Sequence, residues 1–142
     1  MTRFDTSSFR WQGVEEKPYK EAGGWEGVAR FPLAARDGFE VRYFEIAPGG
    51  YSSLEKHEHA HVVMALRGRG RALVGREVVE MAPFDVVETP PLAPHCWVNA
   101  GEEPFGFLCT VDARRDRPQP LSEDEMAALA RDPRTAEFIR WE

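Results

Sequence analysis

Cysteine, excess positive charge and long apolar runs are all scarce in this sequence, and each scarcity removes a class of function. Lysine and arginine number 18 against 24 aspartates and glutamates, for a formal net charge of −6. That balance offers no basic face for a phosphate backbone, so no nucleic-acid partner is expected. No apolar stretch approaches the roughly 20 residues that span a bilayer, so no membrane partner is expected either. The opening Met1-Thr2-Arg3-Phe4-Asp5-Thr6-Ser7-Ser8 lacks the apolar core of a secretory leader. Cys96 and Cys109 are the 2 cysteines, too few for a disulfide framework and wrongly spaced for a zinc finger. A reducing, cytoplasmic location is the expectation.

What is present is the composition of an ordinary globular domain: 142 residues, 42% hydrophobic and 30% charged. From about residue 39 to 111, short apolar stretches alternate with turn signals. Residues 39–46 precede Pro48-Gly49-Gly50, and residues 61–66 precede Gly68-Arg69-Gly70. Further stretches end at Gly75, Pro83, Pro90-Pro91 and Asn99-Ala100-Gly101, before a last one at 105–111. Turn signals this close together indicate short antiparallel strands, an all-β sandwich or barrel. Val62-Val63-Met64-Ala65-Leu66 is apolar at every position, which predicts a strand covered on both faces. In 105–111 the odd positions Phe105, Phe107, Cys109 and Val111 form one apolar face, turning Cys109 inward.

The flanks differ from this body. Residues 1–34 carry Trp11, Tyr19, Trp25 and Phe31 among charges and glycines, and are read as an extension or edge strand packing on a barrel at 35–115. Residues 116–142 are a helical tail. Ser122-Glu123-Asp124-Glu125 is a capping box, Met126, Leu129 and Ala130 follow at helical spacing, and Phe138, Ile139 and Trp141 seek a surface to cover. The basic run Arg114-Arg115-Asp116-Arg117 reads as solvated surface.

Function is concentrated in the 4 histidines. His57, His59 and His61 alternate just after Glu55, and His95 follows far downstream between Pro94 and Cys96. Imidazole is the commonest metal ligand, and borderline divalent ions favour nitrogen mixed with carboxylate oxygen. Four side chains on one straight strand would spread over ~20 Å, too far for one ion. The segment must bend and one member must drop out; spacing alone does not say which.

Two motifs then carry a resemblance. On the pattern G-x5-H-x-H-x(3,4)-E-x6-G, anchored at Gly49, position 55 falls on the first histidine, His57 on the second, His61 on the glutamate and Gly68 on the last glycine. Glutamate and histidine have changed places, with the ligand sum kept. On G-x5-P-x-G-x2-H-x3-N, Pro90, His95 and Asn99 are in register, while Phe84 and Leu92 stand where the glycines belong. The sequence thus resembles the cupin family and is similar to its small one-barrel, manganese-type members.

The resemblance implies a double-stranded β-helix, or jelly-roll barrel, holding one divalent transition metal through Glu55, His57, His61 and His95. Mn or Fe is implied first, then Zn, Ni or Cu. His59, Trp97 and Cys109 are expected beside the ion or on the cavity wall, with Glu58 nearby and Cys96 packed on the opposite face. The implied function is oxygenase-type oxidoreduction, a dioxygenase acting on a small molecule. A metal-dependent isomerase or lyase and a non-catalytic sensor or binding module are the alternatives, and a homodimer is the implied assembly.

Overall fold

A computed structural model describes residues 1–21 and 23–140; Trp141 lies outside the described residues. The two shortest strands, β1 (Phe4–Asp5) and β2 (Arg10–Trp11), pair as a small hairpin. The main sheet contains 8 strands: β3 (Glu26–Arg36), β4 (Phe39–Tyr51), β5 (His61–Arg67), β6 (Gly70–Val74), β7 (Glu77–Met81), β8 (Val86–Thr89), β9 (His95–Val98) and β10 (Phe105–Asp112). Its order is β7-β6-β9-β4-β10-β5-β8, with β3 on the other side of β4, and every pairing is antiparallel. The result is the near-closed, mostly β barrel that the resemblance implied, followed by α1 (Glu123–Ala130) and α2 (Pro133–Ala136).

Strand parity divides the side chains into two cores. Phe44 and Ile46 of β4, Val63 and Ala65 of β5, Trp97 of β9, and Phe105, Phe107, Cys109 and Val111 of β10 fill the interior. The opposite parity of β6 and β9 places Leu73, Cys96 and Val98 outside, where Leu129, Phe138 and Ile139 of the tail cover them. The capping box forms as written, with Glu125 N–H donating to Ser122 Oγ and Ser122 N–H to the Glu125 carboxylate. Cys96 faces away from His95, as alternation requires.

The outer side of β4 has its own cover. The hairpin places Phe9 and Trp11 against Tyr43, at centroid distances of 5.7 and 4.9 Å. Below them Glu45 accepts from both Arg10 Nη atoms, from Arg67 and from the Tyr43 hydroxyl. Further along the same face the cover ends, and here one expectation fails. Val62 and Met64 are 40% and 36% exposed, while Val63 and Ala65 are fully buried. An unbroken apolar run has folded as a strand with one open side. The Pro48-Gly49-Gly50 signal also acts differently from expectation, because β4 runs through it. Its pairing with β3 shifts register between Glu26 and Val28, so the extra residues are absorbed as a bulge.

The second motif's missing glycines have a backbone consequence. Phe84 has φ 76° and Leu92 has φ 62°, in the left-handed region that glycine favours. The turns were kept without the residue that makes them easy. Both amides are tied down: Phe84 N–H donates to Ala65 O and Leu92 N–H to His57 O, each at 2.7 Å. Phe84 is 76% exposed, so its ring offsets little of the strain by burial. Phe84→Gly is therefore expected to raise unfolding stability by about 0.5–1 kcal/mol, net of the larger entropy of an unfolded glycine. Urea denaturation of both proteins measures it, and an unchanged or lowered midpoint contradicts it.

Candidate metal centre

The segment from Ser52 to Ala60 leaves β4 and enters β5, and it bends because the backbone is held at two points. Glu55 and His95 exchange backbone hydrogen bonds of 3.2 and 2.9 Å, and the His57 carbonyl accepts from Leu92. These ties set the loop against the start of β9. His61 opens β5 and His95 opens β9, each with its side chain inward. One ring nitrogen from each of His57, His61 and His95 falls within 4.8 Å of the others, and all three residues are buried.

Their hydrogen bonds orient them. His57 Nδ1 lies 2.7 Å from the His59 carbonyl and His95 Nδ1 lies 2.9 Å from the Ala93 carbonyl. A carbonyl only accepts, so Nδ1 carries the proton and Nε2 presents its lone pair. His61 Nδ1 is 3.4 Å from Cys109 Sγ, and its Nε2 is buried with no hydrogen-bond partner. A buried nitrogen left unpaired in this way costs free energy unless something binds it. A divalent cation among three imidazole nitrogens is the partner this donor set fits.

Burial keeps these rings neutral, the form a metal requires. Desolvation, with lesser repulsion from His95 and His57, pushes His61 down to about 2. Desolvation likewise lowers His95 to about 4, and it lowers His57, with His59 adding to the effect. The folded values lie below the unfolded ones, so acid favours the unfolded chain, which binds the extra protons.

The remaining predicted residues take other positions. Glu55 lines the same cavity, but its carboxylate is paired with Lys20 and accepts from Ser53 Oγ at 2.9 Å. It is not among the groups converging within 4.8 Å. His59 stacks on His57 with centroids 3.6 Å apart, and its Nδ1 sits 2.7 Å from Asp116 Oδ1. Asp116 also accepts the backbone N–H of Glu58 and His59, which holds its carboxyl below the usual range. Glu58 itself is exposed. Trp97 stands 5.3 Å from both His61 and His95. Cys109 contacts His61 and, at 3.4 Å, Arg42 Nη2; burial raises its thiol pKa.

The cavity over the imidazoles is about 160 Å3, and Tyr19, Lys20, Arg30, Arg42 and Asp116 line it as well. Sequence reasoning missed all five. Asp116 was hidden as one acid inside a basic run. The parity of Val28 and Arg30, and of Arg42 and Phe44, was the signal that placed both arginines inward.

The family described as Cupin domain matches residues 42–111. The chain is 45% identical to 1-methylthio-D-xylulose 5-phosphate methylsulfurylase of Rhodospirillum rubrum, over 94% of this chain and 88% of the relative. It is 39% identical over 75 residues to glucose-6-phosphate isomerase of Pyrococcus abyssi, covering 49% of this chain and 39% of that protein. Among solved structures, a cupin-2 domain from Rhodospirillum rubrum aligns at TM-score 0.85 and 45% identity, over 96% of this chain and 94% of that one. A cupin 2 conserved barrel protein from Rhodopseudomonas palustris aligns at 0.87 and 40%, over 99% of each chain.

Two outcomes follow. Wild-type protein is expected to retain a divalent ion through dialysis, and His61→Ala to lose it, by elemental analysis. The metal-free protein is expected to lose stability steadily as pH falls from about 6.5 toward 4, read from denaturation midpoints. In His95→Gln, which has no imidazole at that position to titrate, the decline is shallower. Equal slopes in the two proteins contradict the assignment.

Proposed function

The chain belongs to the cupin family, and on that footing we propose that it is a metal-dependent enzyme acting on a phosphorylated ketose that carries a methylthio group. The observation that carries the reading is the three-imidazole cluster beneath a small cavity, in a chain matched over nearly its whole length by the methylsulfurylase. This replaces the oxygenase chemistry expected from the resemblance, since that relative is named for a methylthio sugar phosphate and as a methylsulfurylase, not as an oxygenase.

His57, His61 and His95 are the residues that would hold the ion. A divalent ion there supplies Lewis-acid polarisation to a carbonyl oxygen. The identity of the metal is left to Mn, Fe, Zn, Ni or Cu, as the imidazole set accepts each. In a 2-ketose with methylthio on carbon 1, the carbon–sulfur bond is adjacent to the carbonyl. Attack of a thiolate on the methylthio sulfur forms an S–S bond and breaks the carbon–sulfur bond with its electron pair left on carbon 1 as an enolate. Carbon 1 then takes up a proton equivalent to the one the thiol gave up, so that thiol and thioether become a mixed disulfide and a 1-deoxy ketose.

The chain's own residues suit those needs. Asp116 fixes the His59 ring through Nδ1, which leaves Nε2 to exchange a proton with a molecule in the cavity. Trp97, Phe107 and Val63 form apolar wall around the imidazoles and limit water beside the reacting carbonyl. A second reading, isomerisation of a sugar phosphate, is favoured by the partial match to two glucose-6-phosphate isomerases. It draws on the same carbonyl polarisation and the same proton exchange.

The test is consumption of 1-methylthio-D-xylulose 5-phosphate by metal-loaded protein with a small thiol present, followed by mass spectrometry, alongside glucose 6-phosphate interconversion. Turnover of the first and not the second supports the primary reading. His59→Gln is expected to lower kcat at least about tenfold with metal content unchanged. If neither sugar phosphate is consumed yet the first binds tightly, the protein is a binding module and the enzymatic reading fails.

A further inference from the structure

Most arginines on this barrel that approach another element have a carboxylate to meet. Arg10 and Arg67 share Glu45, Arg71 meets Glu137, and Arg115 meets Glu40 at 3.0 Å. Arg30 and Arg42 are different. Register opposes Arg30 to Phe44 and Arg42 to Pro32, which makes the two arginines diagonal neighbours on the inner face of β3 and β4. Both line the cavity over the imidazoles.

Among the described residues neither has an ion pair, and the Nε of each is buried without a hydrogen-bond partner. The side-chain partner of Arg42 is the Cys109 thiol, a weak acceptor, and its guanidinium lies 5.0 Å from the centre of the Phe44 ring. Glu40, the acid nearest them on β4, is taken by Arg115, and Glu55 by Lys20. Burial and then the charge of Arg42 lower the pKa of Arg30.

Two like charges have therefore been placed side by side in a partly desolvated wall, in a chain whose overall charge is −6. Such an arrangement is unfavourable without a counter-charge. It becomes favourable when an anion enters between them, and two planar guanidinium forks suit the tetrahedral oxygens of phosphate. Cys109 measures the separation from the metal centre, since the same sulfur lies 3.4 Å from Arg42 and 3.4 Å from His61.

We propose that Arg30 and Arg42 form an anion subsite that takes a phosphate group at one end of the cavity, while the imidazole cluster addresses the other end of the same ligand. That the phosphate belongs to a ketose rests on the function proposed above; the subsite itself does not. A substrate spanning both points is a short phosphorylated sugar. The dephosphorylated sugar and a longer, bulkier phosphate ester satisfy only one end.

The experiment uses metal-loaded protein and two probes, inorganic phosphate and 1-methylthio-D-xylulose 5-phosphate. Phosphate is expected to raise the melting temperature of wild type and of the surface control Arg114→Gln. It is expected to leave Arg30→Gln and Arg42→Gln unshifted, with metal content equal in all four. For the sugar phosphate, Arg42→Gln is expected to raise KM or Kd by about ten- to a hundredfold, the effect of one charge-assisted hydrogen-bond partner, and Arg42→Lys by less.

Phosphate shifts that persist in both glutamine variants overturn the subsite, because the anion then binds the metal or elsewhere. Phosphate shifts lost in the variants, with no turnover of the methylthio sugar by wild type, keep the subsite and remove the proposed reaction. Wild-type turnover with an unaltered KM in Arg42→Gln removes the subsite and keeps the reaction. Should a glutamine variant misfold, the lysine variant and the competition of phosphate against sugar phosphate in wild type decide the matter. Absence of that competition overturns the proposal.

Discussion

Three buried imidazoles that must stay neutral, with one nitrogen from each gathered within 4.8 Å of the others, are the constraint to which the rest of this protein answers. Burial desolvates the rings and so disfavours their protonation. Two backbone carbonyls fix the tautomers of His57 and His95, and a thiol occupies the inner nitrogen of His61. The Nε2 of His61 is buried with no hydrogen-bond partner in the protein, the position a bound ion would satisfy. A divalent ion bound there would thus stabilise the fold as well as the site.

Holding that point steady requires a barrel closed on its outside as well as its inside. One outer face is sealed by the C-terminal helices over Leu73, Cys96 and Val98. Another is sealed by the N-terminal hairpin, where aromatic rings rest on Tyr43 and two arginines converge on Glu45. The loop bearing His57 is pinned by Glu55 to His95 and by Leu92 to His57, so two ligands are located by hydrogen bonds rather than by the sheet alone. Elements remote in sequence thus contribute rigidity to a site whose three imidazoles all lie in the middle of the chain.

Much of this was legible in the residues. Alternation in 105–111 placed Cys109 inside, alternation around His95 placed Cys96 outside, and Ser122 with Glu125 announced the tail helix. The motif frame picked out Glu55, His57, His61 and His95 as a group, of which the three histidines converge and Glu55 pairs with Lys20. What could not be read was any fact that depends on which surface covers which. The run from Val62 to Leu66 looked doubly buried, because apolar side chains on both faces of a strand do not say whether a neighbour arrives. The Pro48-Gly49-Gly50 signal reads as a turn in one dimension and is a bulge once β3 lies alongside. Lys20 and Asp116 reach the site across long stretches of chain, and local spacing carries no record of that. The left-handed turns at Phe84 and Leu92 show the converse: the backbone kept a shape that the side chains no longer announce.

The segment just before β3 closes one side of the cavity. Lys17 pairs with Arg30 through the backbone, Tyr19 packs on Trp25 and Phe44 and reaches Ser53, and Lys20 neutralises Glu55. These residues come from outside the barrel proper, yet they form one side of the chamber. A shortened protein beginning at β3 keeps every imidazole but loses that side, and it leaves Glu55 in the cavity wall with the Ser53 hydroxyl but without its cation. Trimming the N-terminus would therefore alter the charge and openness of the chamber without touching a single histidine.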